Sequence, residues 1–553
     1  MPDTQATLSE KPKTVHASEL AKGQREIGVA EFFARNRHLL GFDNKIKALM
    51  TTIKEAVDNA LDACEEAGIL PEIQVELTEM GNDRYRIVVE DNGPGIVRKQ
   101  IPKIFAKLLY GSKFHQLKMS RGQQGIGISA AVMYGQLTTG RGAKIISKTD
   151  PDKPAHHYEL KINTKTNDPE ILTDETVEWE KEHGTRIELD IEATYQRGAR
   201  SIDEYLKETA IVNPHVTIIY TNPKAEQLIF SRVIDQPPEV PEAIRPHPYG
   251  VELGLLITML RETKAKTLQQ FLTTEFVRVG ANTAKEICAN ARLDPKQKPS
   301  SFNRDMAEHL VKGIKGTKII APPSDCISPI GPELLEKGLK KEINAEFYAT
   351  ATRPPNVYRG NPFVIEAGIA YGGEQDGDSA ANIIRFANRV PLLFQQGACA
   401  SSKAIQQTTW RNYGVQQSKG SLPSGPLTIL IAINSVWVPF TSESKEAIAH
   451  YPEIIKEMKL AVQEVGRQLG SYLKKKKRVS HELKKRSYIE KYIPHVAEAL
   501  VELLELKKVD SDSIQDHLHS ILEHDRGKVE KMDFDPTKNV EYDEQFAKIG
   551  KQE

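Results

Sequence analysis

Glu55-Ala56-Val57-Asp58-Asn59-Ala60-Leu61-Asp62-Ala63 is the most informative stretch of this 553-residue chain. It closes a strongly periodic segment, 46–64. At about 100° per residue, Ile46, Leu49, Met50, Ile53, Val57, Ala60, Leu61 and Cys64 fall on one helical face. Glu55, Asn59 and Asp62 stack almost opposite, because spacings of three and four share a side. An ordinary solvated face has the same spacing, so the content decides. A carboxylate one turn before an amide supplies a base for a water molecule and an oxygen ligand for a magnesium ion. Hard cations favour such oxygen donors and share their sites with substrate phosphates.

Downstream, Ile73-Gln74-Val75-Glu76-Leu77 and Tyr85-Arg86-Ile87-Val88-Val89-Glu90 alternate as strands. The second runs straight into Asp91-Asn92-Gly93-Pro94-Gly95-Ile96. Glycines there let the backbone turn with positive φ and let a flat ligand approach. An ionised Asp only accepts hydrogen bonds, which suits an exocyclic amino group such as that of adenine. Taken alone, this pattern is also an ordinary β-turn. Next comes Ser120-Arg121-Gly122-Gln123-Gln124-Gly125-Ile126-Gly127-Ile128-Ser129, opening onto the helix-like Ala130-Ala131-Val132-Met133. Glycines ahead of a helix N-terminus expose N–H groups that cradle phosphate. No strand of a βαβ unit precedes this segment, so it is not a dinucleotide fingerprint. G-x-x-x-x-G-K-[ST] occurs nowhere, which excludes a P-loop.

The ordered set E-x-x-x-N-x-x-D-A, D-N-G-x-G, G-x-x-G-x-G and Gly184-Thr185 resembles the GHKL (Bergerat) ATPases. These include gyrase-type topoisomerases, mismatch-repair ATPases, heat-shock chaperones and histidine kinases. The resemblance implies ATP and Mg2+ as ligands. Glu55 would then activate the attacking water, Asn59 would hold the magnesium, and Asp91 with Gly95 would take the adenine, with Thr185 near the base. Ser112, Lys113, Arg121, Gly122, Gln123, Gln124, Gly125, Ile126, Gly127 and Ile128 would form the lid over the phosphates.

Three flanking stretches are similar to the ATPase subunits of the type IIB (type VI) DNA topoisomerases. They are Ala30-Glu31-Phe32-Phe33-Ala34-Arg35-Asn36-Arg37-His38-Leu39-Leu40-Gly41-Phe42-Asp43, Leu109-Tyr110-Gly111-Ser112-Lys113-Phe114 and Val438-Pro439-Phe440-Thr441-Ser442-Glu443-Ser444-Lys445-Glu446-Ala447-Ile448-Ala449. That family implies a multidomain α/β chain. Its parts would be an N-terminal arm (1–25), a GHKL α/β sandwich (26–243), a helix–two-turns–helix domain (244–321), an α/β transducer with a long C-terminal helix (322–487) and a helical tail (488–553). The tail would dock a DNA-cleaving A subunit in an A2B2 heterotetramer. ATP-dependent homodimerisation would gate passage of one DNA duplex through a break made by that partner, relaxing supercoils and decatenating DNA. The transducer lysine that reaches the ATP pocket would be Lys445, catalytic beside Glu55. The N-cap residue types around it place it in a loop or first turn where the long helix begins, and a cation there opposes the helix dipole. The alternative is another GHKL ATPase, a chaperone-like or mismatch-repair-like clamp.

Composition agrees with this organisation. Lys+Arg and Asp+Glu are both 75, so DNA affinity has to come from local patches. Between Arg261 and Lys318 there are 12 Lys+Arg against 6 Asp+Glu, a local charge of +6 (12 − 6). A second basic run, Lys474-Lys475-Lys476-Lys477-Arg478 with Lys484-Lys485-Arg486, follows the apolar spacing of Val462, Val465 and Leu469. Proline-rich breaks at 236–248 and 321–325 mark linkers. The pairs Asp376/Asp378, Asp510/Asp512 and Asp533/Asp535 read as polar loops rather than a metal-dependent cleavage module. Four scattered cysteines and a polar start without an apolar core point to a cytoplasmic protein with no membrane segment.

Overall fold

The computed structural model describes residues 16–24, 26–113, 116–122, 125–442, 444–505 and 510–526. Gln123 and Gln124, Glu443, most of the N-terminal arm, the end of the tail and Asp533/Asp535 lie outside the described residues. The periodic segment folds as the 22-residue helix Lys45–Glu66. Asn44 caps it, its side-chain oxygen accepting from the Lys47 N–H at 2.9 Å. Leu49, Ile53, Val57 and Leu61 carry its apolar face into the first core.

That core lies against one face of an eight-stranded sheet. From edge to edge its strands are Asp168–Val177, Ala155–Asn163, Ala143–Lys148, Gly184–Glu192, Arg84–Asp91, Glu72–Gly81, Thr217–Thr221 and Gln227–Phe230. Neighbours are antiparallel except Glu72–Gly81 with Thr217–Thr221. Burial alternates along Ala143–Lys148, Ala155–Asn163 and Gly184–Glu192, as expected for a sheet with one solvated face. Ile73, Val75, Ile87, Val89, Ile187 and Leu189 point into the core, whereas Arg86 on the opposite face pairs with Asp190 at 2.8 Å and Glu188 at 3.3 Å.

The helical middle comprises Leu253–Glu262, Leu268–Glu275, Ala281–Ala291 and Arg304–Gly316 around their own core of Leu256, Phe271, Ile287 and Leu310. Lys264, Lys266, Lys296, Lys298, Lys312, Lys315 and Lys318 lie exposed on its surface. The C-terminal α/β section has a six-stranded sheet centred on Asn361–Tyr371 and Leu427–Ser435. The 52-residue helix Pro452–Leu503 packs on that sheet through Ile454, Met458, Val462, Val465 and Leu469. At ~1.5 Å per residue it is roughly 78 Å long, and its basic run begins where the sheet contact ends, Lys476 still pairing with Glu346.

Two expectations fail here. The long helix starts at Pro452 rather than near 444, because proline with its fixed φ is suited to the first helical turn and the preceding residues form a loop. Asp510 and Asp512 do not lie in a loop but open the helix Asp510–Arg526, in which Ile514, Leu518, Ile521 and Leu522 recur at helical spacing. Asp376 does sit in a loop, accepting from the Asp378 N–H at 3.0 Å. Among the described residues no helix is long and apolar enough to cross a membrane.

The two proline-rich breaks run beside the glycine segment. Ile244 N–H donates to Leu117 O at 3.1 Å, Met119 N–H to Cys326 O at 2.8 Å, and Glu242 N–H to Asp325 O at 2.9 Å. A further apolar cluster joins Ile211 and Val212 of the first section to Leu335, Leu339, Ile384 and Phe386 of the last. Its tightest point is Gly338, where an added Cβ would stand 2.0 Å from the Ile211 carbonyl oxygen. Gly338→Ala therefore forces two helices apart and is expected to destabilise the fold by about 1–3 kcal/mol, the usual scale of overpacking. A thermal melt of the variant checks this, and an unchanged midpoint would contradict so close an approach.

Candidate active site

A cavity of about 620 Å³ opens between the helix Lys45–Glu66, the sheet and the glycine segment. Glu55, Asn59, Asp91, Gly95, Ser112, Lys113, Gly122, Gly125, Ile126, Gly127, Ile128, Thr185 and Lys445 all border it. One strand end supplies the floor. Asp91 is the last residue of Arg84–Asp91 and pairs in register with Thr185. Its Oδ1 accepts from the Gly93 N–H at 2.8 Å and the Thr185 N–H at 3.2 Å. Both donors orient the carboxylate and leave acceptor capacity on Oδ2 for an amine. Burial pushes the Asp91 carboxyl up to about 6, against the pull of those two N–H groups. The loop that follows has to be glycine where it turns: Gly95 has φ +70°, and a Cβ there would lie 2.0 Å from Lys148 O. Asn92 pins the loop, accepting from Glu72 N–H at 2.8 Å and donating to Leu70 O at 3.0 Å.

The helix supplies the opposite wall. A Cβ on Gly127 would fall 1.7 Å from Glu55 Oε2, and one on Gly122 would lie 3.6 Å from Asn59 Oδ1. Carboxylate and amide thus both face the glycine segment, whose helix Gly127–Thr139 begins at the cavity edge. Burial raises the Glu55 carboxyl, but the Lys54 and Lys445 ammoniums outweigh it and hold the group below its ordinary range.

Lys445 arrives from the C-terminal section. It does not start a helix, so no helix dipole opposes its charge, contrary to expectation. It sits at φ +54° in a loop closed by Thr441 N–H to Ala447 O at 2.9 Å and by the Phe440–Ile448 bridge. Glu446 ties that loop to the helix carrying Glu55 through Lys47 at 3.0 Å. Lys445 Nζ lies 3.5 Å from Arg121 O. Burial lowers its pKa, only partly opposed by Glu55. An incompletely compensated, half-buried cation has affinity to spare for an added anion.

Arg121 is a correction. Its guanidinium does not reach the cavity but is buried against Asp62 at 2.8 Å, Glu65 at 2.7 Å and Asn213 at 2.6 Å. Two carboxylates on the inward side of the helix need a cation, and Arg offers them a planar fork. Asp62, the third member of the polar stripe, is accordingly committed to Arg121 and to Lys113 at 2.7 Å. Sequence reasoning missed Lys54, Glu65 and Glu446. Of these, only the i,i+4 spacing of Lys54 and Asp58 was open to reading.

Residues 44–194 match the family model for histidine kinase-, DNA gyrase B- and HSP90-like ATPases, and residues 322–485 match the topoisomerase VI B subunit transducer. The B subunit of type 2 DNA topoisomerase 6 from Methanococcoides burtonii is 54% identical over 490 residues, covering 88% of this chain and 79% of that protein. The corresponding protein of Methanosarcina mazei is 53% identical over 494 residues (89% and 80%), and that of Archaeoglobus fulgidus 49% over 491 residues (89% and 81%).

The Asp91 carboxyl carries a pH prediction. Because burial raises its pKa to about 6, the empty protein gains stability as pH falls through that value, whereas an amino donor requires the anion. ATP affinity is expected to weaken several-fold between pH 7.5 and pH 5, and Asp91→Asn should flatten that dependence while weakening binding throughout. Calorimetric titration at several pH values checks it; a parental pH dependence in the variant would remove Asp91 from the base pocket.

Proposed function

The chain belongs to the family of type 2 DNA topoisomerase 6 B subunits, and on that premise we propose how its residues divide the work of an ATP-hydrolysing, type IIB topoisomerase component. Asp91 accepts from the adenine amino group, with Gly95 and Thr185 around the base. Ser112, Lys113 and the glycine segment 122–128 close over the phosphates. Glu55 takes the proton of the attacking water, and Lys445 engages the γ-phosphate as a point charge that loses its partner once phosphate leaves. The observation that carries this reading is the convergence on one glycine segment of Glu55, Asn59 and, from the C-terminal section, Lys445.

Mg2+ fits the donor set. Asn59 Oδ1 is a neutral oxygen facing the segment, and magnesium is usually held by one or two protein oxygens together with phosphates and water. A site of that kind needs no preformed cluster of three or more acidic, His or Cys ligands, and the described residues contain none. Bound there, the ion would neutralise phosphate charge.

Further parts of the reading concern assembly. The domain limits are 26–243, 244–321, 322–487 and 488–553, after an arm of 1–25. Two protomers close on ATP as a population shift between open and closed dimers. A DNA-cleaving A subunit docks on the tail in an A2B2 complex, whose setting is the cytoplasm. The surface lysines of the helical middle contact duplex DNA, whose phosphates require such local charge. Identity over most of the chain to proteins of one kind disfavours a chaperone-like or mismatch-repair-like clamp.

Glu55→Gln keeps shape and removes the base. Hydrolysis is expected to fall by ~10² or more, the scale of general-base loss, with nucleotide binding retained and no relaxation of supercoiled DNA in the presence of the companion subunit. Near-parental turnover would sink the assignment. Lys445→Ala should cripple hydrolysis and relaxation while weakening nucleotide binding less than Asn59→Ala does. A variant that relaxes DNA like the parent would take Lys445 out of the site.

A further inference from the structure

Lys54 directly precedes the proposed base, yet its ammonium is enclosed, with 17% of the side chain exposed. Nζ lies 3.3 Å from Glu55 Oε1 and 3.4 Å from Asp58 Oδ2. The other oxygen of Asp58 accepts from the Tyr205 hydroxyl at 3.2 Å. Tyr205 is 1% exposed and Asp58 4%, so a continuous polar chain, Tyr205–Asp58–Lys54–Glu55, leads from the core to the cavity edge.

We propose that Lys54 is a positioning residue for ATP hydrolysis, anchoring Glu55 Oε1 so that Oε2 faces the glycine segment where water is deprotonated. The inference rests on Glu55 being the base. The two oxygens are already distinguished: Oε1 meets Lys54, while Oε2 points at Gly127. In the step this serves, water passes a proton to Oε2. Its oxygen bonds to the γ-phosphorus as the bond from that phosphorus to the bridging oxygen of ADP breaks.

A glutamate without such an anchor has three rotatable bonds and a second cation within reach, Lys445, which already lowers its pKa. Pairing with Lys445 would draw the base off its line and occupy the lysine meant for the γ-phosphate. Lys54 removes both losses, since it holds the carboxylate through the oxygen that does not face Gly127. Asp58 and Tyr205 in turn hold Lys54, for an ammonium on a four-carbon stem has no fixed direction of its own.

The competing explanation is that Lys54 only neutralises buried Asp58, because a buried carboxylate stripped of its cation is strongly destabilising. Steady-state ATPase assays and thermal melts of the full chain separate the two. Lys54→Met should lower kcat about tenfold or more, with KM for ATP within about twofold, in keeping with the cost of small misplacements. The double variant Lys54→Met/Asp58→Asn, which leaves no uncompensated charge, should regain the thermal midpoint but not kcat. Recovery of both would make Lys54 a counter-ion and overturn the proposal. If neither variant folds, Tyr205→Phe, which alters no charge, is expected to lower kcat several-fold at unchanged KM, and a parental kcat there would overturn it equally. In a Glu55→Gln background Lys54→Met should add no further loss, because the two act as a unit; an additive loss counts against it. Normal turnover in Glu55→Gln alone would mean the base is misassigned, whereas an inactive Glu55→Gln beside a parental Lys54→Met would sink only the positioning.

Discussion

A guanidinium with 4% of its side chain exposed, held between two carboxylates on one helix, fixes the rest of the site. Arg121 reaches Asp62 and Glu65, and Glu65 also contacts His215 Nε2 at 2.8 Å. Burial keeps the His215 pKa down, only partly opposed by Glu65. Removing one partner from such a cluster leaves a stranded charge, at a cost of about 3–5 kcal/mol. The start of the glycine segment is therefore tied to the helix that carries Glu55 and Asn59, and the spacing between that segment and Glu55 is inherited from an ion cluster at the cavity's edge.

The same few residues hold the C-terminal section in place. Asn388 donates to Ser120 O at 3.0 Å, Met119 N–H to Cys326 O at 2.8 Å, and Lys445 to Arg121 O at 3.5 Å. Glu446 and Lys47 clamp the loop from its other side. A change in the glycine segment is thus felt within one residue of Arg121 by a sheet whose long helix runs far beyond it. Coupling of this kind requires contiguous contacts and a two-state element. The contacts are the ones named, and on the proposed reading Lys445, on its left-handed loop, is the element whose partner changes.

Much of this was open to reading in the sequence, for a physical reason. A helix buried on one face writes its period into the chain, so Leu49, Ile53, Val57 and Leu61 declare the helix and leave Glu55 and Asn59 on the other side. Asp91-Asn92-Gly93-Pro94-Gly95 declares a turn, because only glycine fits the close approach at Gly95. What could not be read depends on partners distant in sequence. Arg121, set among glycines, has the look of a phosphate ligand until Glu65 and Asn213 are brought to it. The serines and threonine before Lys445 have the composition of a helix cap, yet they build a loop and the helix waits for Pro452. Local composition lists the groups, and only tertiary contact decides which of them remain free.

Two of the carboxylates that line the cavity, Asp91 and Glu55, show what that freedom is for. Asp91 is buried and faces neutral N–H donors, and its pKa rises to about 6. Glu55 sits between two ammoniums, and its pKa falls. On the proposed reading, opposite environments suit opposite work, as in other sites that run two carboxyl groups at one pH. Lowering the pKa of a base also weakens it, a cost that depends on which cation causes the shift. Lys54 is bound to Asp58 and stays. Lys445 is held by a long contact to a carbonyl and, on the proposed reading, turns to the γ-phosphate. Once its charge is matched there, Glu55 loses one of its two cations and its proton affinity rises. The base is then strongest when substrate is fully seated, and hydrolysis becomes conditional on the contact that joins the two halves of the chain.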